Sequence, residues 1–116
     1  MEETVDVQAV TIGVGTLLVA GFFVYGAVVG HTLWGTDTTT LAMWVFASMF
    51  VVISLLHVVA GRSDMALAHG GAAAGWILVL LELSVGLTIV GLVLLASGGA
   101  YIVRTTLRER KQAASA

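Results

Sequence analysis

The chain contains no cysteine and no proline, and it carries little charge. The absence of cysteine excludes disulfides, thiolate metal sites and cysteine nucleophiles. The absence of proline means that nothing in the sequence forces a helix to kink. Only 10% of the 116 residues are charged and the net charge is −2, which excludes a nucleic-acid-binding protein.

The chain is rich in apolar residues instead. Hydrophobic residues make up 59% of it, and the mean hydropathy is +1.04. A helix needs about 20 apolar residues to cross a hydrocarbon core of roughly 30 Å. We therefore predict an all-α integral membrane bundle, folded as a single domain, with three transmembrane helices at about residues 7–34, 40–60 and 72–103. No basic segment precedes the first span, so we expect it to be retained and not cleaved as a signal peptide.

The two connections between the predicted spans are polar. In the first, Gly35 and Asp37 are expected to end one helix, and residues 38–40 are expected to cap the next. In the second, Ser63 or Asp64 is expected to cap a short helical turn that leads into the third span.

The basic residues predict the orientation. A cluster follows the third span, whereas the leader "MEETVDVQ" has acids and no Lys or Arg. The positive-inside rule then predicts a cytoplasmic C-terminus, an external N-terminus and a short cytoplasmic helical tail over 104–116, in the plasma membrane of a prokaryote or archaeon. The tail residues expected to meet anionic lipid head groups are Arg104, Arg108, Arg110 and Lys111.

Small residues form two stripes at helical spacing. "GAVVG" and "GAAAG" both match the GxxxG pattern, and such stripes let helix backbones approach closely in lipid. We predict close packing, within the chain or against other subunits, at Gly15, Gly26 and Gly30 on the first span and at Gly71, Gly75, Gly86 and Ser97 on the third.

Glu82 interrupts the third predicted span and shares its small-residue stripe. An acid at that depth is expected to face protein and not lipid. One interpretation is a proton or cation site with Ser54 and His57, the latter through a bridging water. The other is a neutral carboxyl that makes one hydrogen bond between helices.

The histidines do not predict a cofactor. Within a three-span fold, His31 and His57 lie at opposite ends of antiparallel helices, which disfavours haem ligation by this pair. His69 is expected in a loop or at a helix start. Metal binding by His57, His69 and Asp64 is conceivable, but no HxxxH or HExxH spacing supports it. We predict no catalytic site, no cofactor and no metal site, and therefore no enzyme.

Three resemblances bear on function. "LELSVGL" resembles the last helix of the smallest three-helix, proton-channel-associated subunit of respiratory complex I and its antiporter relatives, although the second span here has no acid. "DMALAHGGAAAG" resembles the start of a helix in another small subunit of sodium/proton antiporter complexes. The size and three-span topology resemble viral holins.

These observations predict a small non-catalytic accessory subunit of a larger membrane complex. A respiratory or ion-translocating complex is favoured, and the expected partners are the lipid bilayer and other membrane subunits. Hetero-oligomers are favoured over homo-oligomers. The alternatives are a self-assembling holin-like pore and a homo-oligomeric proton-coupled carrier that uses Glu82.

Overall fold

The computed structural model describes residues 2–115, and most of them are helical. Each of its four helices is long and apolar enough to cross a membrane. The all-helical prediction is confirmed, whereas the prediction of three spans is not. The elements in chain order are α1 (Glu2–Val28), β1 (Thr32–Leu33), β2 (Thr36–Asp37), α2 (Thr38–Val59), α3 (Ser63–Leu81) and α4 (Val85–Ser115).

The third predicted span is the part that the structure corrects. Two antiparallel helices, α3 and α4, replace the single helix expected over 72–103. Glu82 ends α3 in the left-handed conformation, with φ 51° and ψ 37°. The Ser84 hydroxyl then accepts a hydrogen bond from the backbone N–H of Leu87 at 3.1 Å, as a helix-capping serine does. A three-residue turn therefore reverses the chain where a continuous helix was predicted.

The first connection is a small β-hairpin. Helix α1 ends at Val28, before the predicted end at Trp34. Strands β1 and β2 pair antiparallel around Trp34 and Gly35, whose φ angles are 53° and 76°. Two successive positive φ angles are typical of the type I′ turns that join two-residue hairpins.

The helix caps also differ from the prediction. Asp37 does not end the first helix but caps α2, because its carboxylate accepts hydrogen bonds from the N–H groups of Thr39 and Thr40 at 2.8 and 3.4 Å. At the start of α3 the capping position is Arg62, with no side-chain capping bond among the described residues. The capping expected of Ser63 or Asp64 is therefore not found.

The helices are arranged as an open row. Extensive contacts join α1 to α2, α2 to α3 and α3 to α4, and among the helices described no other pair packs extensively. In a closed four-helix bundle the first and last helices would also touch. Helices α2 and α3 therefore lie inside the row, and α1 and α4 form its two edges.

Small residues let α3 pack closely on both of its neighbours. The buried positions of α3 are mostly alanine and glycine, so α2 and α4 approach its backbone from both sides. The backbones of α3 and α4 lie very close together: a Cβ added to Gly75 would lie 2.5 Å from the carbonyl oxygen of Gly91, and one added to Gly98 would lie 2.6 Å from that of Ala68. The small buried residues of α3 are Ala66, Ala68, Ala72, Ala73 and Gly75.

Candidate functional site

The antiparallel helices give the row two chemically different ends. The basic end holds Arg62 in the α2–α3 connection and the tail of α4, which carries the other four Lys and Arg residues of the chain. The hairpin end holds β1, β2 and the turn at 82–84, where no Lys or Arg occurs. The clustered polar side chains described next lie toward the basic end.

Two histidines meet between α2 and α3. The imidazole rings of His57 and His69 are stacked, with centroids 4.9 Å apart and an interplanar angle of 28°. His69 is buried at 6% exposure, and the Phe50 ring lies beside it at 6.0 Å. The expectation that His69 lies in a loop or at a helix start is wrong, because it occupies the second turn of α3 and faces α2.

The hydrogen bonds of the pair define which nitrogens are free. Nδ1 of His69 lies 2.9 Å from the carbonyl oxygen of Met65. A carbonyl only accepts, so Nδ1 carries the proton, and in the neutral ring Nε2 keeps its lone pair. Nε2 of His57 is buried, and no hydrogen-bond partner lies within its reach in the described part of the chain. A buried polar nitrogen without a partner is costly and calls for an explanation.

Ser54 lies one turn from His57 on α2, but its hydroxyl is engaged. It donates a hydrogen bond to the carbonyl oxygen of Ala66 on α3 at 2.7 Å. Gly70 makes room for this bond because it has no side chain: a Cβ added there would lie only 3.1 Å from the Ser54 oxygen. Ser54 therefore joins α2 to α3 beside the histidine pair.

An ion-pair network lies at the basic end. Arg62 donates to Asp64 at 3.4 Å and to Glu109 at 2.7 Å, and the Tyr101 hydroxyl donates to Asp64 at 3.0 Å. Hydrogen bonds to Asp64 and then Glu109 raise the pKa of the Arg62 guanidinium above its ordinary value. The network ties the α2–α3 connection to α4.

Glu82 is not part of this cluster. It is exposed in the turn at the hairpin end, whereas His69, level with His57, lies thirteen residues earlier on α3. At 1.5 Å per residue, Glu82 and His69 are ~20 Å apart along the axis of α3. The structure therefore does not bring Glu82 together with Ser54 and His57.

The predicted packing residues fall into two groups. Gly75 lies against α4, and Gly15 and Gly26 lie against the side chains of Met49 and Thr38 on α2. By contrast, no atom of the described chain beyond the local backbone would lie within 4 Å of a Cβ added at Gly30, Gly71 or Gly86. Ser97 is exposed and lines a groove beside Gly98. The stripe predicted for the third span therefore does not form one surface, because the turn at 82–84 divides it.

Two close-packed glycines were not predicted. Gly91 and Gly98 on α4 are both buried against the backbone of α3. They are seven residues apart, which places them on one face of the helix. The spacing was visible in the sequence, but the pairing required α4 to fold back on α3.

The remaining predicted residues lie as follows. The tail residues Arg104, Arg108, Arg110 and Lys111 are exposed on the last turns of α4. His31 is exposed beside the hairpin, at the opposite end from His57. Among the described residues, no group of three His, Asp or Glu side chains is placed to hold a metal ion.

Comparisons with known proteins give no match to a family model, to a curated protein or to a solved structure. The fold and its contacts therefore carry the functional interpretation. Over residues 2–115 they define four helices that are long and apolar enough to cross a membrane.

Proposed function

We propose that this protein is a multi-pass membrane protein that serves as a small, non-catalytic subunit of a larger assembly in the prokaryotic or archaeal plasma membrane. The supporting observation is the open row of helices. A monomer that buries its own helices would close the row, whereas this one leaves α1 and α4 each with a single helical neighbour.

The edges of the row are shaped for further helix contacts. Large apolar side chains of α1 are exposed, Leu17 at 75% and Val24 at 61% among them. Gly13 and Gly21 lie on the same helix, and nothing in the described chain would meet a Cβ at either position within 4 Å. Close packing of small residues is what associates helices in lipid, so we expect a helix of another subunit along an edge of the row.

The orientation follows from the two ends of the row. An even number of crossings places both termini on one side of the membrane. All five Lys and Arg residues belong to the basic end, and the positive-inside rule assigns that end to the cytoplasm. We therefore propose that both termini are cytoplasmic and that the hairpin and the Glu82 turn face outward. This orientation replaces the external N-terminus predicted with three spans.

Purification from the native membrane in mild detergent, followed by mass spectrometry, tests the proposal. Stoichiometric larger membrane subunits that co-elute support it and identify the assembly. Elution of the chain only with copies of itself contradicts it and favours a self-assembling protein.

Two matched variants locate the docking edge. Gly21→Leu adds bulk to the outer face of α1, and Gly99→Leu adds it to α4, and both positions have open space around them in the described chain. The variant on the docking edge is expected to lose the partner while its thermal stability in detergent stays near that of the wild type. Retention of the partner by both variants would argue against a helix seated on either edge.

A further inference from the structure

We propose that His57 and His69 are the two protein ligands of a binding site for a divalent transition-metal ion, located between α2 and α3 near the basic end. The inference concerns this pair alone and does not depend on the accessory-subunit proposal. The spacing of the histidines in the sequence does not predict the site, because twelve residues and a helix reversal separate them.

The ring geometry fits two imidazoles on one ion. Two imidazoles bound to adjacent positions of a tetrahedral ion, with metal–nitrogen bonds of ~2 Å, have centroids about 5 Å apart. The observed separation of the His57 and His69 centroids is 4.9 Å. The two ring centroids are therefore as far apart as those of two imidazoles that share one ion.

The nitrogens also have the required chemistry. A metal-ligating histidine commonly donates its other N–H to a carbonyl, which fixes the tautomer and the ring orientation. His69 has this arrangement, since its Nδ1 bonds the Met65 carbonyl and leaves Nε2 as the lone-pair nitrogen. Nε2 of His57 is buried without a partner among the described residues, and an ion would supply the missing interaction.

The surroundings favour a borderline divalent ion near the end of α2. Neutral imidazole is a preferred ligand of Zn²⁺, Cu²⁺ and Ni²⁺. His57 lies two residues before the end of α2, which is ~3 Å along the helix axis, close to the aqueous surface. The nearest acids, Asp64 and Glu109, are engaged by Arg62. We therefore assign the remaining coordination positions to water.

The test uses Cu²⁺ as the probe and counts bound imidazoles by pulsed EPR. The chain has three histidines, so His31→Gln leaves only the proposed pair. The full-length protein is purified through a tag that contains no histidine. In this background we expect two coordinated imidazoles per Cu²⁺. Adding His57→Gln or His69→Gln is expected to leave one imidazole and to weaken Cu²⁺ binding at least tenfold, because loss of even an outer-shell partner typically costs about 10–100-fold in affinity.

Three results would overturn the proposal. One is a count of one or zero imidazoles in the His31→Gln protein. Another is a count of two that survives in either double variant, because the ligands would then come from two copies of the same histidine. The third is equal Cu²⁺ affinity in all variants. Circular dichroism checks the helical fold, and if a double variant unfolds, the count in the His31→Gln protein alone decides.

Discussion

Replacing Gly98 by alanine tests the contact that holds α4 against α3. The added Cβ would lie 2.6 Å from the Ala68 carbonyl oxygen and 3.1 Å from the Ala72 nitrogen. A carbon and a carbonyl oxygen in favourable contact are at least about 3.3 Å apart, so the helices must separate by roughly 0.7 Å. Both neighbours are backbone atoms of α3 and cannot rotate away.

The magnitude follows from two opposing effects. Forcing an extra carbon into a packed interface costs about 1–3 kcal/mol, while alanine gains up to ~1 kcal/mol in helix propensity over glycine. Gly99→Ala is the matched control, because it brings the same propensity gain on the same helix with nothing in the described chain within 4 Å. The difference between the two variants therefore isolates the packing cost.

The assay is reversible unfolding of the purified protein in mixed micelles, followed by circular dichroism. Gly98→Ala is expected to be less stable than Gly99→Ala by about 1–3 kcal/mol. Equal stabilities would refute the close backbone contact between α3 and α4, and with it the folded-back arrangement of these helices.

The same unfolding assay checks three further predictions. Glu82→Gly is expected to stabilise the protein by about 1 kcal/mol, because glycine adopts the left-handed conformation without the cost that glutamate bears. A loss of stability of similar size would instead indicate a continuous helix. Ser54→Ala is expected to cost about 0.6 kcal/mol, the mean for hydrogen bonds between membrane helices, while Ser48→Ala, which removes a bond only to its own helix, stays near neutral. Asp37→Ala is expected to cost about 1 kcal/mol of stability through loss of the α2 cap, whereas Asp37→Asn is expected to retain most of the stability. Equal losses of stability in the two variants would contradict the capping role.

The helical class was predictable because long apolar runs have few alternatives to helix in a membrane. The number of helices was not predictable, because the turn at Glu82 contains neither proline nor glycine, the residues that usually mark a turn. Two signals were nevertheless present. The predicted span over 72–103 would be ~48 Å long, well beyond the ~30 Å needed to cross a bilayer. Ser84 also had the position of a helix cap.

The histidine pair illustrates what sequence patterns miss. His57 and His69 are brought level only because α2 ends at Val59 and α3 starts at Ser63 without a longer loop. The following helix was expected to start at about residue 72, which placed His69 in a loop. It starts at Ser63 instead, and His69 is therefore a buried helical residue. The depth predicted for Glu82 was counted along one continuous helix, whereas the structure ends α3 at this residue and begins α4 at Val85.

Cysteine labelling in intact cells tests the four-helix topology most directly, because the chain has no cysteine of its own. Single substitutions Thr32→Cys and Glu82→Cys report the hairpin end, and Ser63→Cys and Gln112→Cys report the basic end. With a membrane-impermeant maleimide, the four-span account predicts labelling at positions 32 and 82 from outside, and labelling at 63 and 112 only after the cells are opened. Protection of position 82 in both conditions, together with external labelling at 63, would contradict the account and restore a continuous third span with Glu82 inside the membrane.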